Sequence, residues 1–420
     1  DGAIALWSRR LAERAASGDA ALSSRQGESE ANVRWFTNRS LSHATMFDAR
    51  VSFYRGRRPD GSFRPLEGFD PAVWGHDYTE TNAWGQAFHA PHDGAGLASL
   101  FGGEAALAAR LDEMLTLQPV TRPAMYGMHS YNTQEMNEAQ ATGLGMLAMS
   151  NQPAHHIPYM YLFAGQPWKT QWLTREILDT QFTGSEIGQG YPGDEDNGEM
   201  SAWWLLTAMG LYPLFVGSGE WVVTAPLFPR LVWNRGGGNA VEVRASGVEH
   251  RYIQSLRVNG EPWHQVTIPV SVLHGNVLLE FELGPEPSAW GAGSRPMSMS
   301  LAGGSAVWQA DRTPESHFSG PASLIDDRGE RVTRLREGDV VEFTWAASFE
   351  ASFMTLTSPD ADAPAVRLDV RREAEWVDAG IAPRASAHPD QTAAYLLGGR
   401  LDGLRITAIA DVRLTQVEVY

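Results

Sequence analysis

The 420-residue chain contains no cysteine. That excludes disulfide stapling and zinc held by thiolates, but it leaves the compartment open, because a chain of this length can bury a core large enough to stand without covalent staples. No run of eighteen or more apolar residues occurs, so nothing reads as a membrane-spanning segment. Positive charge is scarce: 33 Lys and Arg stand against 50 Asp and Glu, a net charge of -17. This balance argues against a nucleic-acid surface and for neutral or weakly charged partners. There is no initiating Met and no signal sequence before Asp1, as expected of a processed or truncated product. What the chain does have is tryptophan, 15 residues against 11 Tyr and 16 Phe. Indoles stack on the apolar faces of sugar rings, so the balance favours a carbohydrate-active protein, although most tryptophans in any protein are core.

The stretch from Gly190 to Gly210 organises the rest. Asp194, Glu195 and Asp196 sit between glycines directly before an apolar run containing Trp203, Trp204, Leu205, Leu206 and Met209. That run reads as a buried helix with Asn197 as its N-cap and Gly210 at its C-terminal end. The glycines allow a tight bend, and alternate acids, Asp194 and Asp196, then point into one cavity at a helix N-terminus. Two uses fit such a turn, general acid/base or metal chemistry and a plain solvated loop. The spacing does not fit an EF-hand.

Before this stretch the pattern is helical. Ile4, Trp7 and Leu11 mark one amphipathic helix, a second apolar series runs from Glu28 through Trp35, Leu41 and Met46, and further helices are expected over Leu97 to Leu117, Ile157 to Phe163 and Gln171 to Phe182. An irregular segment, Arg55 to Pro71, leads to Tyr78-Thr79-Glu80-Thr81-Asn82-Ala83-Trp84 and Pro91-His92-Asp93. If helical, Glu80 and Trp84 share a face, and an acid packed beside an indole is desolvated and suited to donate a proton; the alternative is that Glu80 caps a helix or pairs with an arginine. His155 and His156 are adjacent and project about 100 degrees apart on a helix, so they do not chelate one metal; they read as hydrogen-bonding groups at a pocket wall, or one as core. Helices joined by long loops, with acids and aromatics at the loop ends, suit an α/α toroid. After Tyr212-Pro213 short β-type runs appear, at 221–223, 231–233, 241–243, 252–253, 266–268 and 278–283. From about Met297 to Tyr420 alternation dominates, which predicts a β-sandwich. The expected chain is α+β and multidomain: residues 1–215 helical and catalytic, 216–292 a β region closing it, 293–420 an accessory sandwich for sugar binding or docking.

Three stretches together resemble the bacterial α-mannosidases of glycoside hydrolase family 92. They are 78–84 with 91–93; Asn151-Gln152-Pro153-Ala154-His155-His156 with 164–171; and Gly193-Asp194-Glu195-Asp196-Asn197-Gly198 with 201–203 and 210–213, and the similarity covers roughly Trp35 to Trp290. The resemblance implies a portion of an (α/α)6-type helical barrel and calcium-dependent, inverting, exo-acting hydrolysis of α-mannosides. It implies Glu80 as general acid, Asp196 with Asp194 as the base that activates water, and Asn151 and Gln152 as calcium (Ca2+) ligands near the sugar hydroxyls; Trp84, His155 and His156 are the candidate substrate-binding residues beside them. The partner is then a mannose-containing glycan, and the protein a secreted or extracellular bacterial one. Two departures stand out. Gln152 replaces a carboxylate of the family pattern, which either weakens calcium binding or marks a different leaving group, as in cleavage of mannosyl phosphodiesters whose phosphate leaves without protonation. The family's N-terminal β-sandwich and first barrel helices have no counterpart here, so the rest of the site is expected from an N-terminal part or a second chain. A third reading is a carbohydrate-binding protein without catalysis.

Overall fold

Side-chain caps start α3, α4 and α6, and the glycine pair Gly102–Gly103 separates α4 from α5. The computed structural model describes residues 1–58, 61–118, 132–182, 190–301, 308–326, 331–360, 364–379 and 391–420; of the Met-, Asn- and Gln-rich stretch, 119–131 lies outside them. Among the described residues the α-helices are α1 (Gly2–Ala16), α2 (Gln26–Ser40), α3 (Ala83–Gln86), α4 (Gly94–Phe101), α5 (Glu104–Thr116), α6 (Gln134–Thr142), α7 (Pro167–Gln181) and α8 (Glu199–Met209). Asn82 caps α3 by accepting the N–H groups of Trp84 and Gly85, both at 3.1 Å. The helix expected over Leu97 to Leu117 is two helices, because Gly102 and Gly103 adopt φ of 102° and 120° and end α4 in a left-handed cap. Ile157–Ala164 is a 3-10 helix with proline in its first turn.

Two compact units result, Leu41–Ala306 and Asp1–Ser40 with Val307–Tyr420. The first holds α3 to α8 around a core that includes Phe88, Leu107, Leu111, Met114, Tyr159, Phe163 and Trp203. After α8 the chain turns to strands near the expected positions. One three-stranded sheet is ordered Leu211–Tyr212, Glu220–Val223, Thr267–Pro269, and one five-stranded sheet Arg230–Asn234, Ala240–Ser246, Val277–Gly284, Tyr252–Val258, Glu261–Pro262. Val277–Gly284 runs parallel to Ala240–Ser246 and antiparallel to Tyr252–Val258, so the last long strand returns to the sheet centre.

The second unit contains the β-sandwich. An antiparallel sheet ordered His317–Ser319, Val340–Glu350, Arg400–Ala408, Val366–Arg372, Glu375–Asp378 and a smaller sheet ordered Gln391–Leu396, Phe353–Ser358, Gln416–Val419 share one core. Phe343, Leu368, Leu404 and Ile406 from the first meet Met354, Leu356 and Val417 from the second. Ala31 and Trp35 of α2 pack with Phe353 and Ala394 of the smaller sheet. In α1 the stripe expected to be buried is turned outward: Ile4 is 45% and Trp7 62% exposed, while Ala5, Leu6, Ser8 and Ala15 are buried. The small side chains Ala5, Ser8 and Ala15 let α1 approach a neighbour closely, and the bulky stripe does not.

Candidate active site

Glu80, Asn151, Asp194 and Asp196, which come from three separated stretches of sequence, line one cavity of about 470 Å³. Two loops and a turn bring them together. Asn151 precedes the short 3-10 turn Gln152–Ala154; its Oδ1 accepts the Gln152 N–H at 3.0 Å and its Nδ2 donates to the Glu80 backbone carbonyl at 3.1 Å. This buried amide therefore ties the Glu80 loop to the Gln152 loop. Gln152 Nε2 donates in turn to Asp196 Oδ2. Gly193 is glycine for a reason visible here: it adopts φ of 67° and lies so close to the Ser150 carbonyl that any Cβ would collide with it.

The acids are held in costly backbone. Glu80, Asp196 and Asn197 have φ of 55°, 51° and 59°, a left-handed region that side chains other than glycine enter at a cost of about 1 kcal/mol or more each. Asn197 thus cannot act as the expected N-cap; Gly198 occupies that position, and the Glu195 carboxylate accepts the N–H groups of Gly198 and, at 3.2 Å, Ser201. Hydrogen bonding from Ser201 and then from Gly198 holds the Glu195 carboxyl below its ordinary range.

Trp84 differs from expectation. Helix α3 starts at Ala83, three residues past Glu80, so the two do not share a helical face. Glu80 is exposed, whereas Trp84 is 5% exposed, edge-on to Phe53 at 4.9 Å and covered by the Arg110 guanidinium at 4.1 Å. Its indole is core and is not among the residues lining the cavity, and the expected desolvation of Glu80 by it does not arise.

His155 and His156 are buried and face different elements. His155 bonds Glu199 of α8 through Nδ1 at 2.7 Å and the Met149 carbonyl through Nε2 at 2.9 Å, and its own carbonyl accepts the Trp203 indole N–H at 3.0 Å. His156 Nε2 donates to the Phe88 carbonyl, just past α3, at 2.8 Å. Burial, reinforced by neighbouring His89, pushes the His156 pKa down to about 3, so the ring stays neutral. Neither lines the cavity; the adjacent pair clasps the two acid-bearing elements from behind.

Trp74, Thr133, Gln134, Glu135 and Ser150 complete the cavity wall and were missed in the sequence; the last four fall in 119–150, which shows only a polar bias. Among the described residues no three His, Asp or Glu side chains converge into a metal cage. The wall nevertheless offers oxygen from carboxylates, amides, hydroxyls and backbone, and Ser150 Oγ is buried without a hydrogen-bond partner among the described residues. An all-oxygen set mixing charged and neutral donors fits a hard cation such as calcium.

Known proteins share parts of this chain. Residues 11–285 match the profile described as the glycosyl hydrolase family 92 catalytic domain. A family GH92 α-mannosidase of Bacteroides thetaiotaomicron, solved with mannoimidazole, superposes with a TM-score of 0.60 at 25% identity, covering 68% of this chain and 37% of its own. A family GH92 inverting mannosidase of the same organism gives 0.53 at 28% identity, covering 71% and 39%. An uncharacterized secreted glycosidase of Arthroderma benhamiae is 26% identical over 230 residues, 54% of this chain and 26% of that protein. The chain spans less than two-fifths of the length of each of these proteins.

Proposed function

The chain belongs to glycosyl hydrolase family 92, and from that premise we propose that it is the acid- and base-bearing portion of an exported, calcium-dependent, inverting exo-α-mannosidase. The observation that carries this reading is the meeting of Glu80, Asn151, Asp194 and Asp196 on one cavity. Likeness to an inverting mannosidase supports the stereochemistry, and likeness to a secreted glycosidase supports export. Helices α3 to α8 are read as part of an (α/α)6 barrel, and the C-terminal sandwich as accessory.

In this mechanism Glu80 gives its proton to the glycosidic oxygen as that oxygen takes the electron pair of the breaking bond to the anomeric carbon. Asp196, supported by Asp194, removes a proton from a water that attacks the opposite face, so the configuration inverts. Gln152 donates to the Asp196 carboxylate and orients it, and Asn151 fixes the Glu80 loop. Calcium, held by side-chain oxygens of Asn151 and Gln152, would bind vicinal hydroxyls of the mannose and favour ring distortion.

Proton NMR of the released sugar tests this, with α-1,2-mannobiose and a mannosyl phosphodiester offered in parallel, each with calcium and with chelator, to the chain and to the longest natural form of the protein. Calcium-dependent release of β-mannose from mannobiose is expected. Initial release of α-mannose would contradict inversion, and release from the phosphodiester alone would change the substrate class.

A further inference from the structure

The proposed mechanism gives α6 (Gln134–Thr142) no task, although that helix touches both carboxylate-bearing loops. Thr133 starts it by accepting the Met136 N–H at 3.4 Å, and Thr133, Gln134 and Glu135 line the cavity. On the acid side, the Asn82 side-chain amide donates to the Met136 sulfur at 3.7 Å; Asn82 stands two residues after Glu80. On the base side, Glu138 Oε1 accepts the backbone N–H of Gly193 at 3.1 Å; Gly193 directly precedes Asp194. Met136 and Glu138 lie within one turn of helix, so a single rigid element reaches the acid loop and the base turn together.

Gly193 is gripped from two directions. Glu138 holds its N–H, and the Ser150 carbonyl lies so close to its α-carbon that no Cβ fits between them. Glu138 Oε1 also accepts the Gln134 side-chain amide at 2.9 Å, from one turn back on the same helix, which fixes the direction of the carboxylate. Its second oxygen, Oε2, is buried with no hydrogen-bond partner among the described residues, and so is Ser150 Oγ. A buried carboxylate oxygen without a partner costs stability, and an apolar side chain at 138 would remove that cost. It would also remove the acceptor from the Gly193 N–H. Such costs gather where a site needs a geometry that the fold alone does not. Asp196, three residues on, is tied by Gln152, so the turn is pinned at Gly193 and adaptable at its tip.

Inversion depends on the separation of the two carboxylates, about 6.5 to 9.5 Å with room for a water. We propose that α6 is the strut that sets this separation, and that Glu138 is the positioning residue through which it seats the base turn. The inference rests on the proposed function and deepens it. Glu138 is not among the residues lining the cavity; it acts through Gly193 on Asp194 and Asp196.

Glu138→Ala and Glu138→Gln are measured for kcat and KM on α-1,2-mannobiose and on a dinitrophenyl mannoside, alone and combined with Asp196→Asn, with urea unfolding midpoints as a check on folding. The alanine variant is expected to lose about 10- to 100-fold in kcat on both substrates, with KM within about twofold, since a displaced base slows attack whatever the aglycone. Glutamine keeps an oxygen for the Gly193 N–H and is expected to stay within about threefold. Added to Asp196→Asn, Glu138→Ala should cost less than about twofold more, because a base already removed cannot be misplaced. Glu138→Met, which keeps the bulk and removes the acceptor, takes the place of alanine if that variant does not fold. An unchanged kcat, a loss carried by KM, a glutamine variant as slow as alanine, or an undiminished loss on Asp196→Asn would overturn the seat. If the unaltered protein hydrolyses neither mannoside, the function reading itself fails. Deuterium uptake by the peptide holding Gly193 then judges the contact: exchange quickened by Glu138→Ala and not by Glu138→Gln keeps it, and any other order overturns it.

Discussion

Glu80 and Asp196 both stand at left-handed φ on loops that lead directly into a helix, yet the two helices are entered by different means. Helix α3 is capped by Asn82, which is 3% exposed, and the Glu80 carbonyl is held by Asn151, which is 8% exposed. Helix α8 is entered through exposed Gly198 and through Glu195, and Asp196 is tied by Gln152 near solvent. Buried hydrogen bonds resist competition from water and fix one geometry; exposed ones do so weakly. The Glu80 side is therefore the rigid half of the pair and the Asp196 side the adaptable half, as the proposed base role, in which a carboxylate must follow a water, would require.

The sharpest test of that division is turnover. Asp196→Asn is expected to lower kcat about 10³-fold on every mannoside, whereas Glu80→Gln should lose about as much on mannobiose but recover most of it on a dinitrophenyl mannoside, whose aglycone departs without a proton. Equal, unrecovered losses would break the acid and base assignment. The two indoles come next. Trp203→Ala is expected to cost about 3 to 5 kcal/mol in urea unfolding, and Trp84→Ala a comparable amount, since both are core. A Trp84→Ala protein with unchanged stability but lost mannose affinity would return Trp84 to the substrate.

Acid sensitivity reports on His156. The pKa of His156 is about 3 in the fold against about 6.5 unfolded, so below the latter value the unfolded chain takes up a proton that the fold refuses. The contribution is whole above pH about 6.5 and drains at up to about 1.4 kcal/mol per pH unit as pH falls toward 3. Urea midpoints at several pH values should therefore fall less steeply for His156→Gln than for the unaltered protein. The smallest effect is at the caps: Asn82→Ala should cost about 1 kcal/mol, and Glu195→Gln should move the unfolding midpoint less than that. A reversed order would undo the contrast between rigid and adaptable halves.

Much of this could be read from residues alone. The strands after Tyr212 follow from periodicity and turn residues, which are local signals, whereas the joining of three stretches around one cavity is implied by the family resemblance of the quoted motifs. What escaped was decided by packing or by backbone. Nothing in Thr79-Glu80-Thr81 announces a left-handed glutamate, and Asn197 has the chemistry of an N-cap but takes a φ that forbids the role. Trp84 has the spacing to meet Glu80 only if the helix begins early; the Asn82 cap delays it. The Ile4, Trp7, Leu11 stripe is amphipathic by period, yet the close packing of small side chains in α1 chose the other face.

The unit that joins Asp1–Ser40 to Val307–Tyr420 is discontinuous in sequence, and this sets an order of assembly during synthesis. Helices α1 and α2 leave the ribosome before the Leu41–Ala306 unit, but Phe353 and Ala394, on which Ala31 and Trp35 pack, are made after it. Contacts so distant along the chain form slowly, because the loop between them must close before they are rewarded. The contiguous Leu41–Ala306 unit, with every residue of the proposed site, completes itself while those helices wait uncovered. A ribosome that pauses after Ala306 therefore holds a folded Leu41–Ala306 unit and an uncovered hydrophobic surface on α1 and α2, and a chaperone is needed at those two helices more than at that unit.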